Sequence, residues 1–410
     1  MAEPSTPPTT SVPSTPAAGR EASSSRLTSL DAFRGAIMLL MASSGLGLPQ
    51  MAKADPENGL LAFLARQCEH AEWAGCTLWD LIQPAFMFMV GVAVPWSIAN
   101  RQARGDRAGA QIRHAGVRAM VLVLLAVFLT SAWSPRTEWV FTNVLAQIGL
   151  GYPFLFLVAL ARPRTAWIAA GVLLMGYWIV FAAYPLPPPD FDWAGVGVPA
   201  SWPHLAGFAA HWEKNANAAA AFDVWFLNLF PRDKPFVFSS GGYQTLNFVP
   251  SLATMIFGLV AGRWLRSERT LGAKVRLLVG AGIAGLALGW MLGASGVCPI
   301  VKRIWTPSWT LFSTGWVCLL LAGFFVGIET VGWRRWAYPL VVAGMNPITL
   351  YCLWQLTGGF VRDNLRRHFG TGIFESLGPF YAPMLERLGV LFVFWLILAW
   401  MARHRFFVRI

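Results

Sequence analysis

The sequence predicts an all-α, polytopic transmembrane bundle of about ten helices with one long extracytoplasmic loop. Three observations predict it. Of the 410 residues, 56% are hydrophobic and only 13% are charged, against about a quarter charged in ordinary soluble domains. Apolar runs of about 20 residues, each able to cross about 30 Å of hydrocarbon as a helix, recur from residue 30 to the end. The basic residues behind the net charge of +12 fall mainly in alternate connections between these runs, as the positive-inside rule requires.

In chain order, the first 26 residues are rich in Pro, Ser and Thr and lack the basic-then-apolar order of a cleaved signal peptide. They predict a disordered cytoplasmic tail, so that residues 27–410 form a single membrane domain. The predicted spans are 30–48, 78–99, 115–134, 140–161, 165–184, 247–266, 275–294, 307–328, 337–356 and 384–402. With the N-terminus inside, the cytoplasmic connections hold Arg101, Arg104, Arg107, Arg113 and Arg118, then Arg162 and Arg164, then Arg263, Arg266, Arg269, Lys274 and Arg276. Arg334 and Arg335 follow, and Arg403, Arg405 and Arg409 close the tail. Both termini are therefore expected in the cytoplasm of a multi-pass protein of a bacterial cytoplasmic membrane, among membrane lipids. The same distribution accounts for the positive charge without a nucleic-acid partner. Lys302, Arg303, Arg362, Arg366 and Arg367 are exceptions, placed on the far side.

Short connections favour one compact bundle. The exception, 185–243, opens with PLPPPDFDW, which no transmembrane helix could contain. It mixes Trp193, Trp202, Trp212 and Trp225 with Asp190, Asp192, Glu213 and Asp223. Rings beside carboxylates suit a sugar-facing surface, and they equally suit an interfacial aromatic belt with ordinary loop acids. In 275–294, GAGIAGLALG supplies small residues for close helix packing.

Four segments could carry chemistry. QCEHAEWAGCTLWDLIQPAFMFMVGV, at 67–92, places His70 with Glu69 and Glu72 just before a span that opens with Asp80. A carboxylate accepting from one imidazole nitrogen leaves the other basic, so His70 and Asp80 are the expected catalytic pair. Without further support, a loop histidine anchored by Trp73 and Trp79 at the headgroup level explains the same residues. SLDAFRG puts Asp31 and Arg34 on one face of the first helix, either as a self-neutralising pair or with Arg34 gripping a phosphorylated cofactor. PIVKRIWTPSWTLFSTG joins Lys302, Trp305 and Trp309 at a helix entrance, where Thr306 is a candidate N-cap before Pro307. AGMNPITLYCLWQ sets Asn346 and Tyr351 in a membrane helix loosened by Pro347, serving either a polar cavity or helix-to-helix hydrogen bonds. Cys68, Cys76 and Cys298 are expected on the outer side, and the sequence leaves any disulfide among them open. No CxxC, HExxH or glycine-rich phosphate loop occurs, and no metal is expected.

In this order these segments resemble the heparan-alpha-glucosaminide N-acetyltransferase family of polytopic acyltransferases. The resemblance runs through SLDAFRGAIMLLM at 29–41, HAEWAGCTLWDLIQPAFMFMVG at 70–91, NVLAQIGLGY at 143–152, KRIWTPSW at 302–309 and GMNPITLY at 344–351. It implies that acetyl-coenzyme A from the cytoplasm donates its acetyl group to a sugar or glycan amine across the membrane, with His70 catalytic; the sequence leaves open direct transfer with His70 as base and a two-step route through an acyl-histidine. The expected roles are then Asp31, Arg34, Asn346 and Tyr351 for the donor, and Glu72, Trp73, Lys302, Trp305 and Trp309 for the acceptor. Asn346, Tyr351, Trp73 and Trp305 are candidate oxyanion donors. The chain departs from the family pattern at Gly45, where the family has Asn, and at Gln83, where it has an aromatic residue, so the donor class carries over better than the acceptor. A homodimer is compatible with the pattern. A sugar or lipid-linked carrier is the rival reading, since broken polar helices also build transport sites; a non-catalytic scaffold is a third.

Overall fold

The computed structural model describes residues 27–408. The predicted tail at 1–26, and Arg409, lie outside the described residues. Within them the molecule is an all-α bundle. The helices are α1 Thr28–Ala42, α2 Leu48–Ala54, α3 Gly59–Gln67, α4 Ile82–Ala103, α5 Ala108–Ser131, α6 Val144–Leu160 and α7 Pro163–Ala182. They continue as α8 Ala218–Leu227, α9 Phe248–Arg266, α10 Leu271–Ala294, α11 Pro307–Phe325, α12 Tyr338–Met345, α13 Pro347–Phe369 and α14 Ala382–Arg403.

Every predicted span except 337–356, whose centre falls on the break at Asn346, is helical at its centre. Among the described residues 7 helices are long and apolar enough to cross a membrane, or up to 9 if two bent pairs each count as one span. α6, at 17 residues, is the shortfall.

Two of the predicted spans are bent pairs, the second at the proline already expected to loosen its helix. α1 stops at Ala42, and the chain turns through Ser44–Gly47 into α2 with a 44° bend. Gly45 is fixed there by two constraints: its φ is +70°, and a Cβ would sit 2.9 Å from the Cys68 Cβ. The second break, at Asn346, turns the chain by 81°, because Pro347 cannot continue a hydrogen-bond ladder from α12. α13 then runs on to Phe369, well past the predicted boundary at 356. Its last turns carry Arg362, Arg366 and Arg367, expected in a connection, on a helix.

Close approach of small residues holds the bundle. α10 meets α11 through Gly282, Gly285 and Gly289; a Cβ on Gly285 would lie 2.8 Å from the Leu311 carbonyl oxygen, as the GAGIAGLALG pattern predicts. α4 and α9 meet at Gly91 and Gly258 in the same way.

The bundle has two ends. At one, Leu30, Leu265, Leu278 and Phe325 share a core, and Arg263 donates to the Ala159 carbonyl. The other end holds the 67–81 loop, the 295–306 connection and the long 185–243 segment. That segment is folded, with α8 inside it and a core of Trp202, Trp212, Phe181 and Val198 that receives Trp73. Its aromatics are neither a sugar platform nor a lipid belt throughout: Trp202 and Trp212 are buried, while Trp225 is exposed. Glu213 and Asp223 are buried as well.

Candidate functional site

The site is built where the 67–81 loop meets the 295–306 connection. Thr77 and Asp80 form a reciprocal cap at the start of α4. The Thr77 backbone N–H donates to Asp80 Oδ2 at 3.1 Å, and the Asp80 N–H donates to Thr77 Oγ1 at 3.4 Å, satisfying two of the donors that a helix start leaves orphaned. Asp80 Oδ2 also accepts from the Ala71 N–H at 3.1 Å. These backbone donors hold a carboxylate that is completely buried, which an isolated charge could not tolerate.

The other oxygen points at the functional groups. Asp80 Oδ1 lies 2.7 Å from His70 Nδ1 and 3.3 Å from Lys302 Nζ. Lys302 Nζ is also 2.9 Å from His70 Nδ1 and donates to the Tyr243 hydroxyl at 3.4 Å. A bare Nδ1 facing a carboxylate at 2.7 Å would set two acceptors against each other, so we assign the proton on Nδ1 to this shorter contact, donated to Asp80, with the Lys302 hydrogens directed to Asp80 Oδ1 and the Tyr243 hydroxyl. Nε2 then carries the lone pair, and the imidazole is partly open to solvent, at 38% side-chain exposure. Lys302 is nearly as buried as Asp80, and burial pushes its pKa down to about 8 although Asp80 opposes the shift. Burial pushes the Tyr243 phenol up to about 12, so it stays protonated and able to donate. The thiol of Cys76, beside Asp80, is pushed up to about 12 by burial and is no nucleophile at neutral pH.

Arg303 completes the rim. Its guanidinium donates to the Gly241 carbonyl at 2.7 Å, and its face covers the Tyr243 ring with 5.5 Å to the centroid. Glu72 is exposed beside this group and supports the charge of Lys214.

The sequence-predicted residues therefore divide. His70, Asp80 and Lys302 come together, with Glu72 nearby. Trp73 is close in sequence, but it is buried, and its indole N–H is spent on the Trp212 carbonyl at 3.1 Å, so it anchors the long segment and is no oxyanion donor. Trp305 and Trp309 are buried in the main core, where they are placed to pack rather than to meet an acceptor. Asp31 and Arg34 lie in the first half of α1, about 17 Å and about 12 Å of helix before its end at Ala42, and Asn346 follows the end of α12 that packs on Asp31. Arg34 and Asp31 pair at 3.3 Å, and Gly344 of α12 presses against the Asp31 backbone. Asn346 is committed to the chain terminus: its Nδ2 donates to the Phe406 carbonyl and its Oδ1 accepts from the Val408 N–H. Tyr351 is buried and accepts from Gln355 one turn on. Neither can serve as an oxyanion donor to His70. All five cysteines are free thiols.

Sequence reasoning missed Tyr243 and Thr77. Thr77 was readable, as the first residue of a T-x-x-D cap. Tyr243 gave only a faint signal, an aromatic after Gly241 and Gly242 at the end of a long loop. A scan of protein-family models and a search of curated proteins each found no match to this chain.

Proposed function

We propose that the chain is an integral membrane acyltransferase that moves an acetyl or related acyl group from acyl-coenzyme A to an amine or hydroxyl of a sugar or glycan. The observation that carries this reading is His70 held by buried Asp80 at 2.7 Å through Nδ1, which leaves Nε2 as an oriented base at an open face. As the acceptor nitrogen or oxygen attacks the thioester carbonyl, Nε2 takes its proton, and the imidazolium is stabilised by Asp80. The tetrahedral oxyanion needs donors, and Lys302 Nζ and the Tyr243 hydroxyl are the nearest. Collapse breaks the C–S bond, and the departing thiolate recovers the proton from His70. Asp80 acts through His70 and is a positioning residue.

The resemblance at His70, Asp80 and the Lys302 segment supports the same reading. On it, the Arg-rich end of the bundle faces the cytoplasm, where Arg34, with 23% side-chain exposure, is the basic group best placed to meet the donor, and His70 faces the opposite side. Incubation of purified protein with labelled acetyl-coenzyme A and amino-sugar acceptors tests it. Acceptor-dependent release of coenzyme A, lost in His70→Ala, is expected; undiminished transfer by His70→Ala would overturn the base assignment. The two bent helix pairs favour a carrier as the second reading, and sugar movement in proteoliposomes without thioester consumption would establish it.

A further inference from the structure

Between α13 and α14, at the same end as His70 but separated from it by the Ser44–Gly47 turn, lies a cavity of about 770 Å3. Ser44 lines it, while Gly45 abuts Cys68 on the other side of the turn. It is within the size range of small-molecule sites, about 300–1,000 Å3. The acyl-transfer reading makes no use of it.

Its cations are Arg362, Arg366 and Arg387, set against Glu375 and Glu386; Arg362, half-exposed, pairs with its neighbour Asp363 at 3.0 Å. Arg366 pairs with Glu386 across the cavity and sits in the last turn of α13, where a cation also suits the helix dipole. Arg387 has neither explanation. It lies in the second turn of α14, where the dipole disfavours positive charge. Among the described residues it forms no ion pair: its Nη1 donates to the Ser44 carbonyl at 3.0 Å, and Gln50 Oε1 accepts from its Nη2 at 2.9 Å. Half-buried and hydrogen-bonded only to neutral oxygens, this guanidinium shares its nearest carboxylate, Glu386, with Arg366, which forms the ion pair.

The wall opposite is as telling. Gly358 and Gly359 stand together inside α13, each costing about 1 kcal/mol against alanine in a helix. Helical glycines in membrane bundles usually admit a neighbouring backbone, as Gly285 does here. A Cβ on Gly358 or Gly359 would instead meet nothing within 4 Å; both line the cavity and keep space in it. Along α14, Leu388, Phe392 and Leu396 form an exposed i, i+4, i+8 stripe leading away from the cavity.

We propose that this cavity binds the phosphate headgroup of an anionic lipid, with Arg387 and Arg362 as its cations, the glycine pair as its floor, and the Leu388–Phe392–Leu396 stripe as the track of an acyl chain. Guanidinium forks suit phosphate oxygens, and basic residues at this depth meet headgroups. The proposal stands independently of acyl transfer.

The test uses the full chain purified in a non-ionic detergent and titrated with dioleoyl-phosphatidylglycerol, dioleoyl-phosphatidylcholine or inorganic phosphate, read by native mass spectrometry and by Tm. Phosphatidylglycerol should bind saturably and raise Tm; phosphatidylcholine should not. Arg387→Gln should weaken phosphatidylglycerol binding roughly tenfold, the worth of one charge-assisted contact. Gly358→Leu, whose Cβ meets nothing within 4 Å and whose side chain enters the cavity, should do the same without lowering the lipid-free Tm. Arg335→Gln, an exposed arginine at the other end, should change neither. Equal binding by the two lipids, or unchanged binding in both cavity variants, would overturn the proposal. Competition by inorganic phosphate at the lipid's own concentrations would overturn its lipid half, making the ligand a soluble phosphate.

Discussion

Asp80 and Asp223 are both completely buried at the His70 end of the bundle, and their surroundings differ in a way that separates a working carboxylate from a tolerated one. Asp80 has two backbone donors on one oxygen and the His70–Lys302 pair on the other. Asp223 accepts one backbone N–H, from Thr245, and its Oδ1 has no partner; burial pushes its pKa up to about 6. Equal burial thus leaves one carboxylate poised to orient a histidine and the other short of compensation. A buried acid is informative through what its second oxygen faces.

The largest expected effect lies at Asp80. Asp80→Asn keeps the shape, but its amide no longer fixes the proton on Nδ1, so coenzyme A release should fall by about 10³–10⁴ in kcat with little change in KM. A loss below tenfold would erase the distinction from Asp223. Next comes Lys302, charged below about pH 8. As a protonated donor to the oxyanion, it makes the rate fall as pH rises through 8. Its pKa is depressed from 10.5, so folding releases a proton between about pH 8 and 10.5 and the fold gains stability as pH rises there. The titration of Lys302 therefore lowers the rate without destabilising the fold. Lys302→Gln should lower kcat roughly 10² and remove the alkaline limb; a limb surviving in the variant would assign it to another group.

The sequence reveals the helices where apolar length is the whole signal, and it reveals His70 and Asp80 because ten residues of one loop carry both. Lys302 is legible as a basic residue at a helix mouth, but its pairing with Asp80 across more than two hundred residues is a property of the fold. Tyr243 is hidden because a loop has no periodicity to read. Asn346 looks like a polar site in a kinked helix, yet its partners are the backbone of Phe406 and Val408, which no local pattern announces. α13 is cut short in a hydropathy reading because glycines and arginines dilute its second half, and those same residues build the cavity wall. Trp202 and Trp212 resemble a sugar platform from composition alone; only their burial shows them to be the core of the long segment.

Asp223 offers the next test, in the opposite direction. An acid whose folded pKa lies near 6, above its ordinary 3.8, carries its full penalty above pH 6 and none below about pH 4. Asp223→Asn keeps an acceptor for the Thr245 N–H and removes the charge. It should therefore stabilise the protein at pH 7.5 by up to about 3 kcal/mol, and the gain in Tm should shrink as pH falls through 6. Transfer activity should stay within about twofold of wild type, as for a change outside the reacting groups. A destabilised variant at pH 7.5 would mean that the ionised carboxylate has compensation beyond Thr245.

Trp73 joins the two regions, and its replacement should do least. Trp73→Phe keeps an aromatic ring against Trp202, now T-shaped to it at 5.8 Å between centroids, but loses the N–H that binds the Trp212 carbonyl. One buried hydrogen bond with its acceptor left unmatched costs about 1–2 kcal/mol, to be read as a lower Tm. The position of His70 is set by Asp80 and Thr77 rather than by the indole, so kcat and the acceptor KM should move by less than about threefold. A larger rise in KM with unchanged stability would return Trp73 to the acceptor site and make the long segment part of substrate recognition.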